Sequence, residues 1–168
     1  MYDAIRRLTS LSVGDVMASH VFPVSASQSM DDAAEMFVQH DISSAPVIDE
    51  QGQCVGMLSA SDFLRRNALS RQRDAAPEAA VDPSSADDEC AGGSGPSAPR
   101  DCVLEYMSGG VQSVPQHSTL LHAAEIMDAQ HIHRLPVLDG AGRPVGIVST
   151  MDIVAALRNA IAETGLAT

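Results

Sequence analysis

Two serine–aspartate pairs have the chain's most suggestive spacing, Ser59-x-x-Asp62 and Ser149-x-x-Asp152. At a helix start this spacing forms a capping box. The serine accepts from a free backbone N–H, and the carboxylate sits near the positive helix end. Capping alone stabilises by about 1 kcal/mol and needs no ligand. The same geometry also suits a sugar phosphate. A carboxylate can accept both vicinal hydroxyls of a ribose, while the helix N-terminus and the serine hydroxyl face phosphate oxygens. A second group, His133-Arg134, stands just before a short apolar run. Arginine presents a planar fork that matches phosphate, and histidine adds a donor when protonated. The plain alternative is an exposed polar shoulder.

These residues belong to one unit, HIHRLPVLDGAGRPVGIVSTMDIV at 131–154. Leu135 to Leu138 and Val145 to Val148 are short apolar runs that read as strands. Between them Asp139-Gly140-Ala141-Gly142 is turn chemistry, since glycine accepts positive φ without a Cβ clash. Ser149-Thr150-Met151-Asp152 then opens an apolar helix. The stretch 41–64, DISSAPVIDEQGQCVGMLSASDFL, has the same grammar. Placing each residue n beside n+90 aligns 13–64 with 103–154 without a gap, with sixteen identities in 52 positions. Chance would supply roughly three, so the chain carries an internal repeat of two copies. Each copy reads as strand–helix–strand–strand–helix, about 50 residues, which is small for an independent domain. The two copies are therefore expected to bury their apolar faces on each other about a pseudo-two-fold axis.

The remaining stretches support this pair. Residues 1–10 read as a short helix, with Ile5 and Leu8 on one face. Ser12 can cap a brief turn through Met17. Val21 to Val24 reads as an edge strand because Pro23 cannot donate to a ladder. Ser29 should cap a helix bearing Ala33, Met36, Phe37 and His40 at helical spacing, with Asp31 and Asp32 in its first turn. Ser59 should open a second helix to about Ser70. From 71 to 100 the chain is rich in Ala, Pro, Ser, Gly and acids, with little to bury, and reads as a flexible acidic linker. The expected organisation is 1–70, the linker 71–100, and 101–168.

The repeat resembles the cystathionine-β-synthase (CBS) domain, and the resemblance covers both copies. In the first, the carriers are Val13-Gly14-Asp15-Val16-Met17, Ala45-Pro46-Val47-Ile48-Asp49 and Val55-Gly56-Met57-Leu58-Ser59-Ala60-Ser61-Asp62. In the second they are Val103-Leu104-Glu105-Tyr106-Met107, Leu135-Pro136-Val137-Leu138-Asp139 and Val145-Gly146-Ile147-Val148-Ser149-Thr150-Met151-Asp152. The resemblance implies an α+β fold of two packed repeats, a tandem pair of the kind called a Bateman module. Such pairs bind adenosine-containing ligands between the repeats and often form homodimers. It implies that Asp152 and Asp62 hold ribose, with Ser149 and Ser59 near phosphate. The segment from His133 to Pro136 is similar to His-Arg-Leu-Pro segments of the γ subunit of AMP-activated protein kinase, which implies phosphate contacts for His133 and Arg134. The first copy has Ser43-Ser44-Ala45 there, without charge, so its site should favour a less charged ligand or borrow arginines from elsewhere. Adenine is expected against the short first strands ending at Val24 and Val114, and near Ala45 and Leu135.

Composition narrows the function classes. The net charge is −12, which argues against nucleic acid. The chain has no lysine, which removes a P-loop lysine and Schiff-base chemistry. Cys54, Cys90 and Cys102 form no metal-ligand spacing, and the cysteine count of three is odd, so a reducing, cytoplasmic setting is expected. No apolar run approaches the ~20 residues needed to span a bilayer. His117, His122, His131 and His133 lack the partners of a metal site, and no nucleophile or triad motif is present. The expected function is a non-enzymatic sensor of adenine nucleotides, with no cofactor required, acting on an unidentified effector protein or through a homodimer. The alternatives are an oligomerisation module without a ligand, or a binder of S-adenosylmethionine.

Overall fold

A computed structural model describes residue 6 and residues 9–74, 101–110 and 112–163. A 3-10 turn at Val13–Asp15 comes first, followed by strand β1 (Val24–Ser25) and helix α1 (Met30–Gln39). Strands β2 (Ser44–Ile48) and β3 (Cys54–Ser59) lead into helix α2 (Ala60–Asp74). The second half has α3 (Val103–Tyr106), β4 (Ser108–Gly109), β5 (Val114–Pro115) and α4 (Leu120–Gln130). It ends with β6 (Arg134–Leu138), β7 (Pro144–Ser149) and α5 (Thr150–Glu163). The result is the expected α+β pair of repeats.

Local chemistry explains most boundaries. The Ser29 hydroxyl accepts from the Asp32 N–H at 3.1 Å and starts α1, and Thr119 does the same for His122 at 3.2 Å in α4. Between β2 and β3, Asp49 Oδ1 accepts from the N–H groups of Gln51 and Gln53, and Gly52 takes φ +78°. Asp139 repeats this with Ala141 and Arg143 around Gly142, also at φ +78°. The donated N–H of Arg143 holds the Asp139 carboxyl below its ordinary value.

Some expectations move. The extended piece read at 21–24 is a strand only from Val24 to Ser25, because that is where it pairs, in parallel, with Val47 and Ile48. It is the outer strand of its sheet, as Pro23 suggests. Helix α2 runs on to Asp74 rather than Ser70. Of the helix read over 1–10, only residues 6, 9 and 10 are described, and these are helical. The acidic stretch lies outside the described residues from 75 to 100.

The cores differ most from expectation. Each repeat has its own, and each is completed by the opening segment of the other copy. The second core holds Val114, Leu120, Ala123, Met127, Leu135, Val137 and Val148 together with Val13 from the chain's start. The first holds Val24, Met30, Ala33, Phe37, Ala45, Val47 and Leu58 together with Val103 and Tyr106. Backbone hydrogen bonds tie the exchange down. Val13 and Gly14 donate to Ser118 and Gln116, and Val103 and Leu104 donate to Gln28 and Ala26. Ser108–Gly109 then adds a fourth strand beside β3, and Ala18 pairs with Ile147 as a single bridge beside β7. Gly56 and Gly146 allow this approach. A Cβ at Gly56 would stand 2.6 Å from the Ser108 carbonyl oxygen, and one at Gly146 would strike the Met17 sulfur.

An ion cluster fastens the exchanged segment to the first repeat alone. Arg66 donates through Nε to Asp101 Oδ1 at 2.7 Å, through Nη2 to Asp101 Oδ2, and through Nη1 to Asp31 at 2.8 Å. Its twin in the second repeat is Ala156, a core residue. The hydrogen bond to Arg66 holds the Asp31 carboxyl below its ordinary value of 3.8. A lowered carboxylate stabilises the fold above its unfolded value and stops doing so as the pH falls through the folded one.

Two outcomes follow. Gly56→Ala should cost about 1–3 kcal/mol through overpacking and lower Tm by roughly 2–4 °C for each kcal/mol. An unchanged Tm would mean that the 108–109 strand is not seated. Arg66→Ala should lower the urea midpoint at pH 7, and its deficit against the parent should shrink below pH 3.8, as Asp31 loses its charge in both. A constant deficit would show that the arginine contributes by packing alone.

Candidate functional site

The box forms in full at Ser149, whose hydroxyl accepts from the Asp152 N–H at 3.3 Å, and through its aspartate half at Ser59. Asp62 Oδ2 accepts from the Ser59 N–H at 2.8 Å and from its hydroxyl at 2.7 Å. Asp152 Oδ2 accepts from the Ser149 N–H at 2.7 Å and hydroxyl at 2.6 Å. Ser12 and Asp15 repeat the arrangement at the 3-10 turn, and the donated hydrogen bonds lower the Asp15 pKa. Capping therefore uses one carboxylate oxygen at each site, and the second oxygen is where the sites differ. Asp62 is 5% exposed, and its Oδ1 lies 3.2 Å from Arg65 Nη2. Among the described residues, Asp152 Oδ1 accepts no hydrogen bond, and Asp152 is half-buried.

A cleft of about 350 Å³ lies between the repeats. Ser44, Met57, Ser59, Ser61 and Ser108 form one wall, and His131, Ile132, His133 and Arg134 form the other. The Ser59 and Ser61 hydroxyls are 2.7 Å apart. Arg134 is exposed, and its Nη2 donates to the Ser43 hydroxyl across the repeat boundary at 2.9 Å. The 131–134 segment is held in place by the end of α4. His131 takes the left-handed conformation at φ +53°, the Ile132 N–H donates to Met127, and the Thr150 N–H donates to the His133 carbonyl. Asp41, the twin of His131, has the same conformation at φ +51°. Non-glycine residues adopt it seldom, so this bend is built into both copies.

The structure brings Ser59, His133 and Arg134 together in that cleft, with Asp62 bonded behind Ser59. Ser149 and Asp152 do not line it. Arg134 is nevertheless the cross-strand partner of Ser149, so its stem rises beside the second box while its guanidinium reaches the first repeat. Val24, Val114, Ala45 and Leu135 are core side chains, at most 1% exposed. Their side chains are not available to a base, and their backbones lie in paired strands. Sequence reasoning missed Ser61, Ser108, His131 and Arg65. Arg65 was findable, three residues after Asp62 on one helix face. Ser108 was not, because it reaches the cleft only through the exchange of segments. Among the described residues, no cluster of three or more His, Cys, Asp or Glu is placed to hold a metal, and no helix is long and apolar enough to cross a membrane.

The boxes should be worth measurable stability without any ligand. Asp152→Ala should cost on the order of 1 kcal/mol, within the range of lost helix caps, read as a lower urea midpoint. No change would leave the pair without a structural role.

Matches to the family described as the CBS domain cover residues 13–68 and 103–159. The CBS domain-containing protein YhcV of Bacillus subtilis is 29% identical over 142 residues, spanning 84% of this chain and 82% of that protein. The homoserine O-acetyltransferase of Methanosarcina acetivorans is 24% identical over 148 residues, but the chain spans only 22% of its length. Among solved structures, the CBS domain pair of MJ0100 in complex with 5′-methylthioadenosine and S-adenosyl-L-methionine superposes with a TM-score of 0.66 at 22% identity. That match covers 89% of this chain and 97% of that one. CBSX2 of Arabidopsis thaliana, in complex with AMP, gives 0.64 at 26% identity, covering 88% and 96%. Both copies of the repeat are matched and both assemble into one paired fold, so the chain belongs to the CBS domain family, as a tandem pair.

Proposed function

We propose that the chain is a regulatory module, with no catalytic step of its own, that binds an adenine nucleotide between its two repeats. One observation carries the reading. Arg134 and His133 of the second repeat share a cleft with Ser44, Ser59 and Ser61 of the first. Hydroxyls from one repeat and a planar cation from the other match the acceptors of a phosphate. In this reading Asp62 and Asp152 take ribose hydroxyls, Ser59 and Ser149 lie near phosphate, and adenine meets the backbone beside Val24, Ala45, Val114 and Leu135. CBSX2, at 26% identity, is a CBS pair in complex with AMP, which supports an adenine nucleotide as the ligand.

A ligand that touches both repeats shifts their arrangement by its differential affinity for the two states. The change would pass to a partner protein or to a second copy of the chain. Exposed apolar side chains on the helices support a second copy: Val38 is 84% exposed, and Leu64 and Met151 are each 70% exposed. Such surface is commonly covered in an assembly.

Thermal shift with AMP, ADP, ATP and S-adenosylmethionine tests the reading. At ~100 Kd a ligand stabilises by about 2.7 kcal/mol, several degrees for a chain of this size. A flat response to all four would remove the sensor reading, and a response to S-adenosylmethionine alone would replace the nucleotide. Arg134→Ala should weaken AMP about tenfold and leave adenosine unchanged. An equal loss for adenosine would remove the phosphate role.

A further inference from the structure

Asp62 and Asp152 are twins in the repeat, yet their second oxygens meet different surroundings. At Asp62, Oδ1 is held by Arg65 Nη2, and the same nitrogen donates to the Tyr106 carbonyl. Tyr106 closes α3, the piece of the second copy docked on the first core. The twin of Arg65 is Ala155, which has no charge and no donor, so the second repeat has no counterpart.

We propose that Arg65 is a positioning residue that withholds Asp62 from the ligand and couples its release to the docked 101–107 segment. This rests on the nucleotide reading above and extends it to how the two sites differ. Oδ2 of each aspartate already accepts two hydrogen bonds from its serine, so a vicinal diol must donate to Oδ1. At Asp152 that oxygen is open, and the diol binds without competition. At Asp62 the diol displaces Arg65 or shares its acceptor. Either way the guanidinium shifts, and its bond to the Tyr106 carbonyl is strained or lost. The cleft beside Asp62 also holds Arg134 and His133, so phosphate contacts there offset the competition. A nucleoside without phosphate lacks that compensation. The two sites therefore fill unequally, and only filling at Asp62 is felt by the exchanged segment.

The full chain is titrated with AMP by calorimetry, and amide hydrogen exchange is followed at 103–107, where the Met107 N–H donates to Val103 at 2.9 Å. The parent should show two unequal steps, with Asp62→Asn abolishing the weaker one. Arg65→Ala should strengthen that step about two- to fivefold, the range for a half-exposed ion pair. Saturating AMP should speed exchange at 103–107 in the parent, whereas in Arg65→Ala exchange is already fast and insensitive to AMP. Arg65→Gln keeps a donor for the Tyr106 carbonyl but not the ion pair, and should strengthen binding while leaving the segment protected. The proposal is overturned if Arg65→Ala leaves the Asp62-dependent step unchanged or weaker, or if AMP binds the parent without altering exchange. If the parent binds no AMP, the nucleotide reading fails. The Arg65 proposal then falls with it unless Arg65→Ala uncovers an Asp62-dependent step.

Discussion

The structure depends on an exchange of short segments. Val13 is fully buried in the second repeat's core, and Val103 is fully buried in the first's. Neither repeat closes its hydrophobic core with its own opening residues. A unit of about 50 residues is marginal alone, because it buries a small share of its surface. Exchange makes the stability of each copy conditional on the other, and it fixes their relative placement through backbone hydrogen bonds as well as apolar contact. The glycines at 56 and 146 belong to this constraint, because the exchanged backbone passes where a side chain would stand.

The cleft follows from the same constraint. Its walls come from both repeats, and one wall includes Ser108, which enters only as part of the exchanged segment. The electrostatics are lopsided for the same reason. Arg65 and Arg66 anchor the incoming 101–106 segment to the first repeat, whereas the second repeat has alanines at 155 and 156. A symmetric backbone thus carries two aspartates with similar caps and different second oxygens. Inequality between the sites arises from side chains laid on a pseudo-symmetric frame.

Much of this was legible in the residues. The offset of 90, the turns at Asp49 and Asp139, and the caps at Ser29 and Ser149 all formed as read, because each depends on contacts within a few residues. The serine–aspartate pairs were correctly open to two readings. Capping is present in the structure, and it leaves one oxygen of each carboxylate for another role. The strand at 21–24 was overestimated, since a strand exists only where it finds a partner and β2 offers pairing only from Val24 onward. Which of the two clefts Arg134 faces could not be read from the residues. Its side chain reaches the first copy, donating to Ser43.

The sequence by itself determined the repeat, the order of elements, the turn and cap chemistry, and the residues able to meet a nucleotide. These are encoded locally, in periodicity and in side chains that satisfy nearby backbone. Only the tertiary structure decided which copy each opening segment completes and which serines Arg134 faces. It also decided which aspartate is left open. The repeat itself is the physical reason. Val13 and Met17 carry the same apolar groups as Val103 and Met107, so the pattern is satisfied equally by packing a segment on its own copy or on its twin. Three-dimensional packing breaks that tie, and with it sets where the cations stand.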